Sequence, residues 1–246
     1  MLRLPDPLIG DIIRGRCLPI VGSGLSRNAV VPAGSTMPLW PDLGKALADQ
    51  VTDFPRDEKS PLEAISAFAY EFGRIRLVDE LRRLLYQGVA RPGRVHHAFC
   101  SLPFDVVRTT NFDSLLEQGY DAVARAYRVI VEEEQLSAGT DPRTVSLLKL
   151  HGDLEHPHRL VVVEEDYDRF IRTNPLMVTY LSNLLTTRTA LFIGYSLDDP
   201  DMRQILGLVQ ERLGSLARQA YVLTVGDSPY AVTRFERRNV RCIRVA

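Results

Sequence analysis

Cys17-Leu18-Pro19-Ile20-Val21 runs directly into Gly22-Ser23-Gly24-Leu25-Ser26-Arg27. A short apolar run that closes on alternating glycine and serine reads as a β-strand turning tightly into a helix. Glycines at such a turn let the backbone take positive φ and approach a pyrophosphate, while the following helix end offers N–H groups to an anion. A helix end contributes only about 0.3–1 kcal/mol to an anion at low salt. The dinucleotide fingerprint also wants a small third residue, where this chain has Arg27. A phosphate loop and a plain tight turn both stand at this point, and a dehydrogenase is disfavoured.

The same alternation of short apolar runs and longer amphipathic ones continues to the end of the chain. Strands are expected at Cys17–Val21, Asp105–Arg108, Ala126–Val131, Val145–Leu150, Leu160–Val163, Ala190–Ile193, Ala220–Val225 and Val240–Val245. Helices are expected at Asp42–Val51, Leu62–Phe72, Ile75–Tyr86, Phe112–Tyr120, Glu164–Phe170, Leu176–Thr186, Asp201–Leu213 and Tyr230–Arg238. This is an α/β pattern, a Rossmann-like parallel sheet with helices on both faces. A single crossover needs far fewer residues than lie between the first two strands. A small helical insert at about 38–91 is therefore expected within one domain spanning 1–246.

Composition narrows the function. Hydrophobic residues at 45% and charged residues at 25% of 246 exclude a disordered chain. The net charge of −1 gives no footprint for direct nucleic-acid binding. Cys17, Cys100 and Cys242 are too few and too scattered for a disulfide framework or a four-cysteine zinc site. The N-terminal stretch reads against a signal peptide, and no apolar run approaches the ~20 residues of a membrane span. A cytoplasmic protein without a membrane anchor is the expectation.

Three further stretches carry candidate chemistry, because ligands of open α/β sheets bind beyond the carboxyl ends of strands. Thr109-Thr110-Asn111-Phe112-Asp113 follows the second strand, and Asn111 or Asp113 reads either as a helix cap or as a group facing a crevice. Leu150-His151-Gly152 follows the fourth; His151 is either a general base or a histidine satisfied within a turn. Gly194-Tyr195-Ser196-Leu197 leaves a later strand, with Gly194 and Ser196 placed to line a nucleoside pocket. Asp199-Pro200 reads as an N-cap and first-turn proline. His151, His156 and His158, with Asp153 and Glu155, look like a metal cluster only superficially, since Pro157 and turn spacing oppose convergence. Arg234, Arg237 and Arg238 form a basic helical face, read as solvated.

Taken in order, these stretches resemble the sirtuin-like family, and most nearly its bacterial branch of NAD-consuming defence effectors. Gly22-Ser23-Gly24-Leu25-Ser26 is similar to the family's Gly-Ala-Gly-Ile-Ser, and Thr109-Thr110-Asn111-Phe112-Asp113 to its Thr-Gln-Asn-Ile-Asp. Leu150-His151-Gly152 matches Leu-His-Gly, and Gly194-Tyr195-Ser196-Leu197 resembles Gly-Thr-Ser-Leu. The two Cys-x-x-Cys pairs of the zinc-bearing deacylases are missing, as is their Pro-x-Phe-Arg loop; Met37-Pro38-Leu39-Trp40 stands in that region. Deacylation is thereby disfavoured and no zinc is expected.

What the resemblance implies is cleavage of the nicotinamide–ribose bond of NAD, the substrate, through a transition state like an oxocarbenium ion. It assigns Asn111 and His151 to catalysis, with Asn111 orienting water or ribose and His151 accepting a proton. Asp113 would bind the carboxamide and Phe112 pack on the nicotinamide ring. Gly22, Ser23, Gly24 and Ser26 would hold the pyrophosphate, with Arg27 either assisting or remaining a surface arginine. Gly194 and Ser196 would take the adenosine end. A non-catalytic NAD or ADP-ribose sensor is the competing reading. No separate sensor domain is evident in the sequence, so control is expected from self-assembly into a homo-oligomer or from a partner; in the family such partners include a HerA-type ATPase or a short Argonaute.

Overall fold

Seven strands form one sheet in the order β3-β4-β2-β1-β5-β6-β7, and every neighbouring pair is parallel. They are β1 (Cys17–Val21), β2 (Val106–Thr109), β3 (Tyr127–Ile130), β4 (Val145–Lys149), β5 (Thr189–Ile193), β6 (Ala220–Val225) and β7 (Val240–Val245). The computed structural model describes residues 4–55, 60–138, 141, 143–196, 199–225 and 229–245, without the side chains of 229–231. Leu197, which closes the last motif, lies outside them.

The helices are α1 (Asp6–Ile13), α2 (Ser23–Ser26), α3 (Trp40–Ala48), α4 (Pro61–Phe72), α5 (Arg74–Leu84), α6 (Arg94–Cys100), α7 (Leu115–Ala122), α8 (Glu164–Thr173), α9 (Pro175–Thr187), α10 (Pro200–Leu213) and α11 (Pro229–Glu236). Successive residues of a strand point to opposite faces, and the sheet has a core on each. Leu18, Ile20, Leu148 and Phe192 pack with Phe170 of α8, Leu181 of α9, Ile205 of α10 and Phe235 of α11. Val21, Val107, Leu147 and Leu191 pack with Leu8 of α1, Phe99 of α6 and Leu116 of α7. The α/β layering expected from the sequence is present.

Pro19 sits inside a central strand, where a missing N–H normally breaks the ladder. Gly22 N donates to Ile193 O at 3.0 Å, which turns the even-numbered backbone groups of β1 toward β5. The absent N–H of Pro19 therefore faces β2, and pairing with β2 starts only at Ile20. The proline costs no ladder bond.

Between β1 and β2, helices α3–α5 share a core that includes Leu43, Leu47, Ile65, Phe68, Leu77 and Leu81. Phe112, from the β2–α7 connection, and Leu115, at the start of α7, join it. So do Leu160 and Val162, which corrects one expectation: Leu160–Val163 is not a strand. Its apolar residues are buried under the helical lobe instead. Its backbone is held by Val161 N to His151 O at 3.0 Å, by Arg74 on Leu160 O, and by Asp166 Oδ2, which accepts from Val162 N and Val163 N. Sequence periodicity does not distinguish this burial from that of a sheet strand.

Candidate active site

The chain order reverses at β1, which has β2 on one side and β5 on the other. Crevices beyond the carboxyl ends of strands at such a switch point bind ligands. Here a cavity of about 1210 Å³ runs from Pro38, Trp40 and Leu62 on the lobe side to Thr224 and Val245 at the ends of β6 and β7. It is lined by Ser23, Gly24, Ser26, Asn111, Phe112, Asp113, His151, Gly194 and Ser196. Gly22 stands behind this lining.

Thr109, Asn111 and Asp113 set the wall at the end of β2. Thr109 Oγ1 donates to Val21 O at 2.9 Å and accepts from Asn111 N at 3.0 Å, fixing the turn. The Asn111 amide donates to Ser26 Oγ at 3.0 Å, and Ser26 Oγ donates to Asp113 Oδ2 at 2.7 Å. Asp113 Oδ1 accepts from Leu115 N at 3.1 Å in the turn just before α7, whose N-cap position is Ser114, so Asp113 both holds the entry to the helix and anchors the chain of bonds. With residues 109–113 tied into this turn, the helix starts at Leu115 rather than at the expected Phe112. Beneath it, buried Lys149 donates to Asp113 O at 2.7 Å and pairs with Glu117 at 2.6 Å. Burial opposes the Lys149 charge, but Glu117 and Asp153 outweigh it and raise its pKa.

The glycines have a packing role that their spacing did not suggest. Gly22 and Gly24 do not take positive φ; Gly194 does, at +59°. Gly22 N and Gly24 N donate to Ile193 O and Gly194 O at 3.0 and 2.9 Å. A Cβ on Gly22 would lie 2.4 Å from Gly194 O, and one on Gly24 2.7 Å from Gly194 Cα. The three residues let two loops cross at contact distance. Arg27 reaches the lobe, donating to Thr36 Oγ1 and pairing with Asp42.

His151 is 2% exposed, with its ring edge-on to Tyr167 and Phe170 at centroid distances of 5.2 and 5.8 Å. Gly152 beside it has φ +67°, and a Cβ there would sit 2.6 Å from Arg159 O. His151 Nε2 faces Asp199 Oδ2 at 3.6 Å and Asp201 Oδ2 at 3.5 Å. Asp199 caps α10 through Met202 N at 3.1 Å, as its position before Pro200 suggested. It also accepts from Tyr195 Oη at 2.6 Å and from fully buried Arg108 at 3.2 Å. Burial works against its charge, yet His151 and Arg108 bring its carboxyl down to about 2. Burial raises the carboxyl of Asp201.

Arg108, Tyr195 and Asp201 went unassigned in the sequence, although one of them carried a signal. An arginine ending the apolar Val106-Val107 strand is buried at a cost that requires a partner. His151, Asp199 and Asp201 offer atoms within 4.8 Å of one another, a spacing that could hold a metal ion. Asp199 Oδ2 already has two donors, however, and the Arg108 guanidinium lies beside it. The residues fit a proton better than a cation. His156 and His158 turn instead to Asp153 and Glu132, at 2.8 and 3.5 Å. Arg234, read as part of a solvated face, donates to Ser196 O at 3.0 Å.

Residues 105–243, more than half of the chain, match the family model described as SIR2-like domain. The chain belongs to the SIR2-like family. Among similar proteins, the NAD(+) hydrolase ThsA of Cytobacillus dafuensis is 30% identical over 81% of this chain and 39% of its own length. The NAD(+) hydrolase ThsA of Acinetobacter baumannii (strain 532279) is 27% identical over 89% of this chain and 44% of its own. Defense-associated sirtuin 2 of Bacillus subtilis is 27% identical over 57% and 14%. This SIR2-like chain thus spans about two-fifths of the length of the curated hydrolases it matches. Among the described residues, no helix of the SIR2-like chain is long and apolar enough to cross a membrane.

Proposed function

We propose that the cleft hydrolyses NAD to nicotinamide and ADP-ribose, as the NAD-depleting effector of a cytoplasmic antiphage defence system. The observation that carries this reading is the presence of Asn111 and His151 on one cavity at the switch point, the Asn111 amide already aimed by Ser26 and Asp113. Relatives named NAD(+) hydrolase support it. Nicotinamide leaves neutral, so the site needs no strong acid; it needs an oriented water, a base and a dry pocket for the ring. Asn111 orients the water or the ribose, and His151 accepts the proton. Asp113 keeps lone pairs for the carboxamide N–H, and Phe112, edge-on to Trp40 at 6.3 Å, packs on the nicotinamide side. Ser23, Gly24, Gly194 and Ser196 form the wall along the pyrophosphate and adenosine, Gly22 backing it. The single hydrogen of Ser26 goes to Asp113, so Ser26 orients Asn111. Control comes from self-assembly or from a partner such as a HerA-type ATPase or short Argonaute.

The test is NAD consumption with product identification, by the purified chain over a range of concentrations and with its genomic-neighbour protein. Nicotinamide and ADP-ribose are expected, and Asn111→Ala should abolish them. The loss of one hydrogen bond should shift thermal unfolding by no more than about 4 °C. Tight NAD binding without turnover in every condition, or full turnover by folded Asn111→Ala, overturns the proposal.

A further inference from the structure

We infer that Asp201 is a positioning residue for His151: its carboxylate takes the Nε2 hydrogen and leaves Nδ1 as the ring nitrogen that accepts a proton. The catalytic consequence rests on the NAD-hydrolase reading above; the pairing itself does not.

Two buried polar atoms carry the inference. His151 Nε2 and Asp201 Oδ2 each lack a hydrogen-bond partner among the described residues, and they face one another at 3.5 Å. The two residues are 2% and 3% exposed, so water does not compensate them freely. Leaving either atom unpaired in such surroundings costs its full desolvation penalty. A few tenths of an ångström of side-chain movement turns the approach into a hydrogen bond.

Asp199 is not the equivalent partner, although its Oδ2 lies at 3.6 Å. That oxygen already accepts from Tyr195 Oη and Arg108, and Oδ1 accepts from Met202 N. Asp201 has the free capacity.

The groups around the ring come from four elements. Arg108 belongs to β2, Tyr195 follows β5, Tyr167 and Phe170 belong to α8, and Asp199 and Asp201 lie at the start of α10. With both phenols pushed up by burial and therefore neutral, one guanidinium faces two carboxylates. This leaves one uncompensated negative charge beside the ring, complementary to an imidazolium. In the reaction, the O–H bond of the water breaks, its proton joins Nδ1 and its electron pair forms the new bond to ribose C1′. The glycosidic pair departs with nicotinamide, Asp201 retains its charge, and the proton returns to solvent after the products leave.

The test uses the full chain labelled with ¹⁵N-histidine, as wild type, Asp201→Asn and His151→Ala, the last to assign the signal. Wild-type His151 is expected in the Nε2–H tautomer, and folded Asp201→Asn in a shifted mixture. The kcat for NAD should fall by about 10²-fold, the lower end of a general-base contribution, with KM changed by less than about threefold. An Nδ1–H tautomer in the wild type overturns the proposal even if Asp201→Asn fails to fold. So does an unchanged tautomer or an unchanged kcat in the folded variant. Displacement of the wild-type His151 signal by one equivalent of Zn²⁺, reversed by chelation, replaces the proton with a cation site. A wild-type chain that never turns over NAD sinks the hydrolase reading, and the tautomers alone then decide the pairing.

Discussion

Ser26 receives the Asn111 amide on its oxygen and gives its only hydrogen to Asp113, so one small side chain decides where the amide points. The family resemblance assigns the same residue to the pyrophosphate. The two roles predict different kinetics for Ser26→Ala. If Ser26 aims Asn111, kcat should fall about tenfold while KM for NAD holds within about threefold, because an interaction used in the transition state has been lost. A rise in KM at constant kcat would return Ser26 to the phosphate. The place of Asn111 and His151 on the cavity was legible because each follows a strand by two residues in a recognisable motif. The pairing of Asp201 with His151 was not, since 50 residues separate them and only the placement of α10 brings them together.

At the scale of elements, the crossing of the β1–α2 turn over the β5 exit aligns the two halves of the cleft. Gly194 has φ +59°, and a Cβ there would lie 2.4 Å from Leu25 N and 2.6 Å from Gly24 C. Gly194→Ala therefore meets backbone on one side and left-handed strain on the other. A loss of about 3 kcal/mol or more in urea unfolding is expected, with weakened NAD binding. A variant as stable as wild type would show that the crossing tolerates separation. The elements themselves were readable from apolar runs, as β1 and β4 illustrate with every residue buried. Leu160–Val163 misled because the same apolar run serves a helical lobe, and α7 began late because the side-chain bonds of Thr109 and Asp113 hold the preceding residues in a turn.

For the whole molecule, acid is the informative perturbation. Asp199 is held at about 2, and Asp105 is lowered because its bonds and charge pairing with Arg188 outweigh its burial. Groups with depressed values stabilise the fold above their ordinary range and lose that contribution as pH falls through the folded value. Asp201 is raised and acts in the opposite sense, favouring the fold at low pH and losing that contribution as pH rises through its folded value. The net expectation is a steep fall in urea midpoint between about pH 4 and pH 2, with Asp199 contributing on the order of 2 kcal/mol. Asp199→Asn should be less stable at neutral pH and show a shallower fall. Parallel curves for the two proteins would remove Asp199 from the account.

The seam formed by Gly22, Gly24 and Gly194 is stitched by peptide groups alone, with Ser23 and Ser196 on the cavity wall beside it. Alignment is thus carried by the peptide groups of these loops, and the side chains on the cavity wall belong to their neighbours. A lineage, or an engineer, can exchange the side chains that meet the ligand while inheriting the alignment unchanged. If the cleft holds NAD as proposed, it can acquire a taste for a differently decorated nucleotide without first having to relearn how to hold its two halves together.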